Sequence, residues 1–227
     1  GQCLMSSMIG GRSGNRGRCA QPCRLSYEVL QGEKSLTGHH ATPILSLKDM
    51  CTLPFLYELA DHGVYSFKIE GRMKTALYVA TVARTYRKAI DDYLISSEKY
   101  KENMDWYLEQ ISNCTYRQFT TGFFFGKPSE ESQIYDNNTY IKEYTYLGIV
   151  GERNEEGLYR IEQRNKFSVG EQIEVMKPDG RNIPVTVKRI VNEDGNEMES
   201  APHPKQVLYI DLGQELEMYD ILRRQEE

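Results

Sequence analysis

Val64-Tyr65-Ser66-Phe67-Lys68-Ile69-Glu70-Gly71-Arg72-Met73-Lys74 is the stretch on which the fold turns. Residues 64–69 are short and apolar and read as a strand. The strand exits into a charged corner, and a long helical pattern follows from Thr75 to about Leu94. Within it Ala76, Val79, Ala80, Ala83, Tyr86, Ile90 and Tyr93 recur every three or four residues, the spacing of one apolar helix face. Upstream, residues 25–30 and 44–47 read as strands, with Gly32 in a turn between them. Asp49 is placed to cap a short helix over 53–61, which Gly63 ends. Downstream, a further helix is predicted over 101–111. Strand, helix, strand, helix in sequence implies an α/β architecture with parallel strands.

The character changes after Phe125-Gly126-Lys127-Pro128. Residues 128–139 are polar and read as a linker. Beyond them come short β-type runs at 144–150, 158–163, 172–176, 183–190 and 206–210. Turn signals separate these runs: Asn154-Glu155-Glu156-Gly157, Val169-Gly170, Pro178-Asp179-Gly180 and Glu193-Asp194-Gly195. Short strands at such spacing predict a small antiparallel β-barrel. The domains expected are therefore 1–127, a linker at 128–139, and 140–227.

With 227 residues the chain is long enough for one large or two modest domains. No apolar run reaches the roughly 18–20 residues of a membrane span, and no secretory-type leader is visible. A cytoplasmic location is expected, where thiols stay reduced. Residues 1–100 carry a balance of +4 and residues 101–227 a balance of -9. A basic front suits an anion site there. The net charge of -5 argues against a broadly electrostatic nucleic-acid binder, so any such contact is confined to a patch.

Chemistry concentrates at the front. Cys3, Cys19, Cys23 and Cys51 are interleaved with Arg12, Arg16, Arg18 and Arg24, and no acid precedes Glu28. Thiols among cations favour the thiolate and read as ligands for a soft metal centre. The spacing is not that of a zinc ribbon or a bacterial ferredoxin, so zinc, disulfides and unrelated buried thiols stay open. Cys114 stands apart and reads as a packed small hydrophobe. The Gly-rich loop 10–18, with Arg12, Asn15 and Arg16, is placed to hold a phosphate or carboxylate on backbone N–H and guanidinium groups. Alternation puts Lys68 and Glu70 on one face of the 64–69 strand. Arg72 and Lys74 follow at a helix start, where cations are unfavourable unless an anion joins them. Solvated salt bridges are the plainer reading of that cluster. Trp106 reads as packing. The four histidines lack metal-pair spacing, and no H-E-x-x-H, G-x-S-x-G, P-loop or G-x-G-x-x-G motif is present.

Several blocks together resemble the U32 family. They are Gln2-Cys3-Leu4-Met5-Ser6-Ser7, the run from Gly11 to Arg24, Ser46-Leu47-Lys48-Asp49-Met50-Cys51, Lys68-Ile69-Glu70-Gly71-Arg72-Met73-Lys74, the run from Glu162 to Gly170, and Ala201-Pro202-His203-Pro204. Members carry the label collagenase-like peptidases. The resemblance implies the C-terminal part of a TIM-type barrel followed by the family's small β-barrel domain, roughly the second half of a longer protein. It implies a [4Fe–4S] cluster, incomplete in this stretch, with Cys3, Cys19 and Cys51 matching ligands best and Cys23 matching a further family cysteine. The branch it resembles hydroxylates tRNA uridine at the wobble position with a prephenate-derived donor. The implied partners are tRNA, a small anionic metabolite, and a second copy or a family paralogue, with no membrane. In that reading Glu70 and Lys68 serve catalysis, and Arg12, Asn15, Arg16, Arg72 and Lys74 bind substrate. Proteolysis is the alternative function, and a non-catalytic RNA- or protein-binding module the second.

Overall fold

The computed structural model describes residues 3–71, 74–114, 116–135 and 143–226. The chain divides into two compact units: Gly1–Val64, Glu70–Lys74 and Tyr116–Ile141 form one, and Tyr65–Ile69, Thr75–Thr115 and Lys142–Glu227 form the other.

The first unit is irregular. Its helices are α1 (Met5–Gly10) and α2 (Leu56–Asp61), the latter entered through a 3-10 turn at Leu53–Phe55. Its strands are two-residue pieces: β1 (Leu30–Gln31) and β2 (Lys34–Ser35) form an antiparallel pair, and β3 (Asp49–Met50) pairs in parallel with β4 (Phe119–Thr120). Leu53, Phe55 and Leu56 are buried, which explains the turn-then-helix at this point. Gly63, at φ +85°, ends α2 as expected.

Several expectations fail here. The strands expected at 25–30 and 44–47 reduce to Leu30 in β1 and to isolated bridges at Tyr27 and Leu47. Residues 64–69 are not a strand: no β pairing is present there, and all of them but Phe67 are exposed, so their apolar side chains meet no sheet that would hold them as one. Asp49 does not cap a helix. It lies in β3, and its carboxylate accepts the Arg117 backbone N–H at 3.0 Å. The parallel sheet of the α/β reading is represented among the described residues by β3–β4 alone.

The second unit holds α3 (Ala76–Ile95), α4 (Ser97–Glu102) and α5 (Met104–Ser112), followed by a β sheet. Thr75 caps α3, its hydroxyl accepting the Tyr78 N–H at 3.2 Å. The buried face of α3 is not the predicted stripe. It comprises Leu77, Thr81, Val82, Arg84, Thr85, Ala89 and Asp92, a mostly polar set joined by specific hydrogen bonds, while Val79 is exposed. The helix expected over 101–111 is broken at Asn103, between α4 and α5.

The strands are β5 (Tyr144–Arg153), β6 (Tyr159–Gln163), β7 (Phe167–Ser168), β8 (Gln172–Met176), β9 (Asn182–Thr186), β10 (Arg189–Asn192), β11 (Ser200–Ala201), β12 (Val207–Asp211) and β13 (Ile221–Gln225). Seven of them form an antiparallel sheet in the order β10-β12-β6-β5-β13-β8-β9, and β7 pairs with β11 separately. The two edge strands, β9 and β10, are consecutive in the chain with only Val187 and Lys188 between them. Three peptide links reach about 10 Å at most, whereas seven flat strands are about 29 Å across. The sheet must therefore curl until its edges face each other. It is a curled antiparallel half-barrel, because β9 and β10 do not pair, which meets the expected small antiparallel β-barrel in part.

Alternation sets its inside. Tyr159, Ile161 and Gln163 of β6 and Leu208 and Ile210 of β12 point inward, joining Leu147, Val150, Phe167, Val175 and Leu222 in one core. All four predicted turns are present, and Gly157, Gly170, Gly180 and Gly195 have φ between +82° and +96°.

Candidate functional site

The cysteine-bearing segments are stitched together by backbone and side-chain hydrogen bonds within the first unit. Helix α1 ends at Gly11, whose N–H reaches back to Ser6 and Ser7 with φ +64°. The buried Ser6 hydroxyl accepts the Ala20 N–H at 2.9 Å, which ties α1 to the Cys19–Cys23 segment. Cys19 Sγ accepts the Gln21 N–H at 3.3 Å, and Cys23 lies in a 3-10 turn, Pro22–Arg24. One Arg24 guanidinium nitrogen donates to Leu47 O at 2.9 Å and to Ser46 Oγ at 3.2 Å, carrying the link to the strand β3 region. Cys51 follows β3, buried, with its N–H on Thr120 O at 2.9 Å.

The sulfurs themselves are not gathered. Cys3 is exposed, Cys19 and Cys23 are half-buried, Cys51 is buried, and none of them is in a disulfide. Among the described residues no three His, Cys, Asp or Glu side chains come together as a metal-holding group. As arranged, the four thiols do not fit a cluster that needs four converging thiolates. Cys114 is buried in the second unit, its thiol on Ile111 O at 3.1 Å, the packed role expected of it.

In the Gly/Arg loop, Arg12 and Arg16 are exposed, and Arg12 Nε–H donates to Arg18 O at 2.9 Å. Asn15 and Arg16 lie in a 3-10 turn, Gly14–Arg16. The N–H groups of Arg16 and Arg18 point to Ser13 O, and that of Gly17 to Gly14 O. Those three donors serve the loop's own carbonyls, so an anion cradle there would rest on guanidinium groups instead. Lys68 and Glu70 are exposed and fall in different units. Lys74 lies with its Nζ 3.7 Å from Asp49 Oδ2, so an internal carboxylate supplies the counter-charge expected from a ligand. Arg72 lies outside the described residues.

The boundary that the sequence marks at Phe125-Gly126-Lys127-Pro128 is also an aromatic turn of this unit. Gly122-Phe123-Phe124-Phe125-Gly126-Lys127 follows β4 as two overlapping turns, Phe124 N–H to Thr121 O and Gly126 N–H to Phe123 O. Gly122 at φ +63° and Gly126 at φ +130° permit that path. Phe124 and Phe125 lean on the buried Phe55 at 4.9 and 5.0 Å between ring centroids. Even so, Phe123, Phe124 and Phe125 remain 79, 50 and 65% exposed. Three adjacent exposed Phe rings beside lysines are unusual on a surface that has no partner.

Residues 1–134 match the family model for peptidase family U32, and residues 142–223 match its C-terminal domain. The chain belongs to peptidase family U32. It is 34% identical over 230 residues to tRNA hydroxylation protein P1 of Bacillus subtilis (strain 168), covering 99% of this chain and 54% of that protein. It is 28% identical over 277 residues to tRNA hydroxylation protein P of Escherichia coli (strain K12), covering 99% of this chain and 59% of that one. A collagenase of Porphyromonas gingivalis is 34% identical over 148 residues, covering 65% of this chain and 40% of that protein. The chain thus spans about half the length of the curated relatives it matches most fully.

Proposed function

We propose that this chain is part of a tRNA-hydroxylating enzyme that modifies uridine at position 5 of the wobble base in the cytoplasm, with a prephenate-derived donor. The observation that carries this reading is the alignment of nearly the whole chain with the Bacillus subtilis tRNA hydroxylation protein. The basic front of the chain and the exposed aromatic turn beside it suit an RNA contact confined to a patch. In this reading residues 1–127 are the C-terminal part of a (β/α) barrel, of which β3–β4 is one parallel step, and 140–227 form the second domain. Arg12, Asn15, Arg16, Arg72 and Lys74 bind anionic substrate groups, and Glu70 and Lys68 act at the reacting centre. A family paralogue or second copy belongs to the same proposal.

A [4Fe–4S] centre enters this reading through donor type alone, four thiols set among guanidinium groups. Iron quantitation on the full-length protein tests it: iron no higher than in a Cys19→Ser variant removes the cluster from the account. The function itself is tested by nucleoside mass spectrometry of tRNA from cells lacking the protein. We expect 5-hydroxyuridine and its derivatives to disappear and to return on complementation. Unchanged levels overturn the proposal.

The second reading, proteolysis, is favoured by the similarity to the collagenase of Porphyromonas gingivalis. It needs an activated nucleophile or metal-bound water. Cleavage of collagen by purified protein, abolished by a single Cys or His substitution, would establish it.

A further inference from the structure

The aromatic turn borders a groove of about 430 Å³ in the first unit, lined by Lys48, Phe119, Phe125 and Lys127 with Ser129, Glu131 and Ser132. The volume lies in the range of small-ligand sites. Its lining is mixed in a particular way: aromatic rings on one hand, two lysines and hydroxyls on the other, and a single carboxylate. Lys48 is anchored by its own backbone, whose N–H donates to Ser132 O at 3.2 Å. Phe119 stacks on Tyr116 with ring centroids 4.6 Å apart and planes at 15°, which fixes that ring's orientation. Phe125 keeps most of its surface in solvent although Phe55 supports it from behind.

An apolar protein segment would gain little from a groove rich in lysine and hydroxyl groups. A nucleotide matches it in each part, since every base has a face that stacks on an aromatic ring and every phosphate favours nearby lysines. We infer that this groove takes one unpaired nucleotide of an RNA, its base stacked on Phe125 and its phosphate drawn by Lys48 and Lys127. Phe123, at the tip of the turn, offers a second ring to the neighbouring base. The inference rests on the RNA-acting reading above and deepens it: the bound nucleotide must be unpaired, because a paired base cannot present its face to a ring.

The test measures binding by fluorescence anisotropy, using the full-length protein and an unmodified anticodon stem-loop RNA, with a fully paired duplex of the same length as control. Wild type should prefer the loop RNA. Phe125→Ala should weaken loop binding by about 5- to 150-fold, the range that one base–aromatic stack supports, and Phe125→Tyr should restore it. Lys127→Gln should make the slope of log affinity against log salt shallower by about 0.7, the share of one single-strand phosphate contact. Lys127 is exposed and its variant leaves the core alone, whereas Phe125→Ala also uncovers Phe55, so thermal unfolding of that variant is measured beside its binding and Phe125→Tyr keeps the ring in place. If wild type binds loop RNA and these variants match it in affinity and salt slope, the groove is not the site, while the RNA-acting reading stands. If wild type shows no affinity for loop RNA, the inference and the reading fall together. If instead the protein self-associates and Phe123→Ala abolishes that, the turn is a protein interface and the inference is overturned.

Discussion

Asp92 sits on the buried face of α3 and is met from three directions. Tyr107 OH donates to Oδ2 at 2.6 Å, Asn103 Nδ2 at 2.8 Å, and Lys88 Nζ lies 3.0 Å away. Burial pushes its carboxyl upward, but the hydrogen bonds from Tyr107, Lys88 and Asn103 outweigh that and hold it below the ordinary value. Tyr107 responds in the opposite sense: its burial and its bond to Asp92 push the phenol well up. Arg84, about two turns away, is drawn down to about 10 by burial and by the charge of Arg223, against the pull of Glu174 and Asp179, and stays charged at neutral pH. For Asp92 the folded value is the lower one, so its contribution is present above the unfolded value of about 3.9 and is lost as pH falls through the folded value. Asp92→Asn should therefore cost about 1.5–3 kcal/mol at neutral pH, the worth of hydrogen bonds to a charged group. The gap to wild type should close as pH drops below about 4. Urea unfolding at a series of pH values measures it, and a gap independent of pH would show that the charge contributes nothing.

At the level of elements, strand β5 passes close to β6 at Gly148, the residue opposite Gln163 in the register. A Cβ at 148 would lie 2.8 Å from Ile161 Cγ2 and 2.9 Å from Glu162 O. The side chain could turn aside, but the carbonyl belongs to the pairing itself. Gly148→Ala should thus destabilise the sheet by about 1–3 kcal/mol, the usual cost of overpacking. Its effect should be read in the midpoint of chemical unfolding rather than in any ligand affinity. Gly170→Ala is the contrast: nothing lies within 4 Å, and its cost should come only from φ +84°. These strands also show what the sequence could and could not convey. Alternation in 159–163 and 207–211 and the Asn-x-x-Gly and Asp-Gly turns marked β6, β12 and their neighbours plainly. Central strand β13 was missed because Ile-Leu-Arg-Arg-Gln reads as half charged. Arg223 is wholly buried there, its Nε–H on Glu174 Oε2 at 2.6 Å and its guanidinium 4.1 Å over the Tyr144 ring. That compensation comes from residues 49 and 79 positions away, which no local pattern reports. The same cause hid the true face of α3, where Thr81, Arg84 and Asp92 are buried because distant partners receive them. In the candidate site the residue types were legible, but the placement of Lys74 against Asp49 was not, since the two residues lie 25 positions apart and meet only in three dimensions.

For the whole molecule, the family boundary and the packing boundary differ. The family model for the C-terminal domain covers residues 142–223, yet α3, α4 and α5 belong to the same compact unit as the sheet. Arg84 binds the sheet's turn through Lys177 O at 3.0 Å and shares Gln110 with Asn182, with Gln110 Oε1 accepting from Asn182 Nδ2 at 3.1 Å. Leu77 forms a small core with Met176 and Ile221, flanked by Ala80, Tyr144 and Ile149, and Trp106 packs against the turn at Gly180. Residues 143–226 alone would keep the half-barrel's inner core, which none of these helices enters. They would also expose the outer face of β8 and β13 and leave the Lys177 and Arg181 carbonyls to water. Each fully buried apolar side chain contributes about 1.5–3 kcal/mol, and several on this face lose their cover. A polypeptide of residues 140–227 should therefore fold cooperatively but unfold at lower urea than one of residues 75–227, and Leu77→Ala in the longer piece should lower its midpoint part of the way towards that of the shorter one. Equal midpoints for the two pieces would mean that the helices rest on the sheet without stabilising it, and that the family boundary is also the folding boundary.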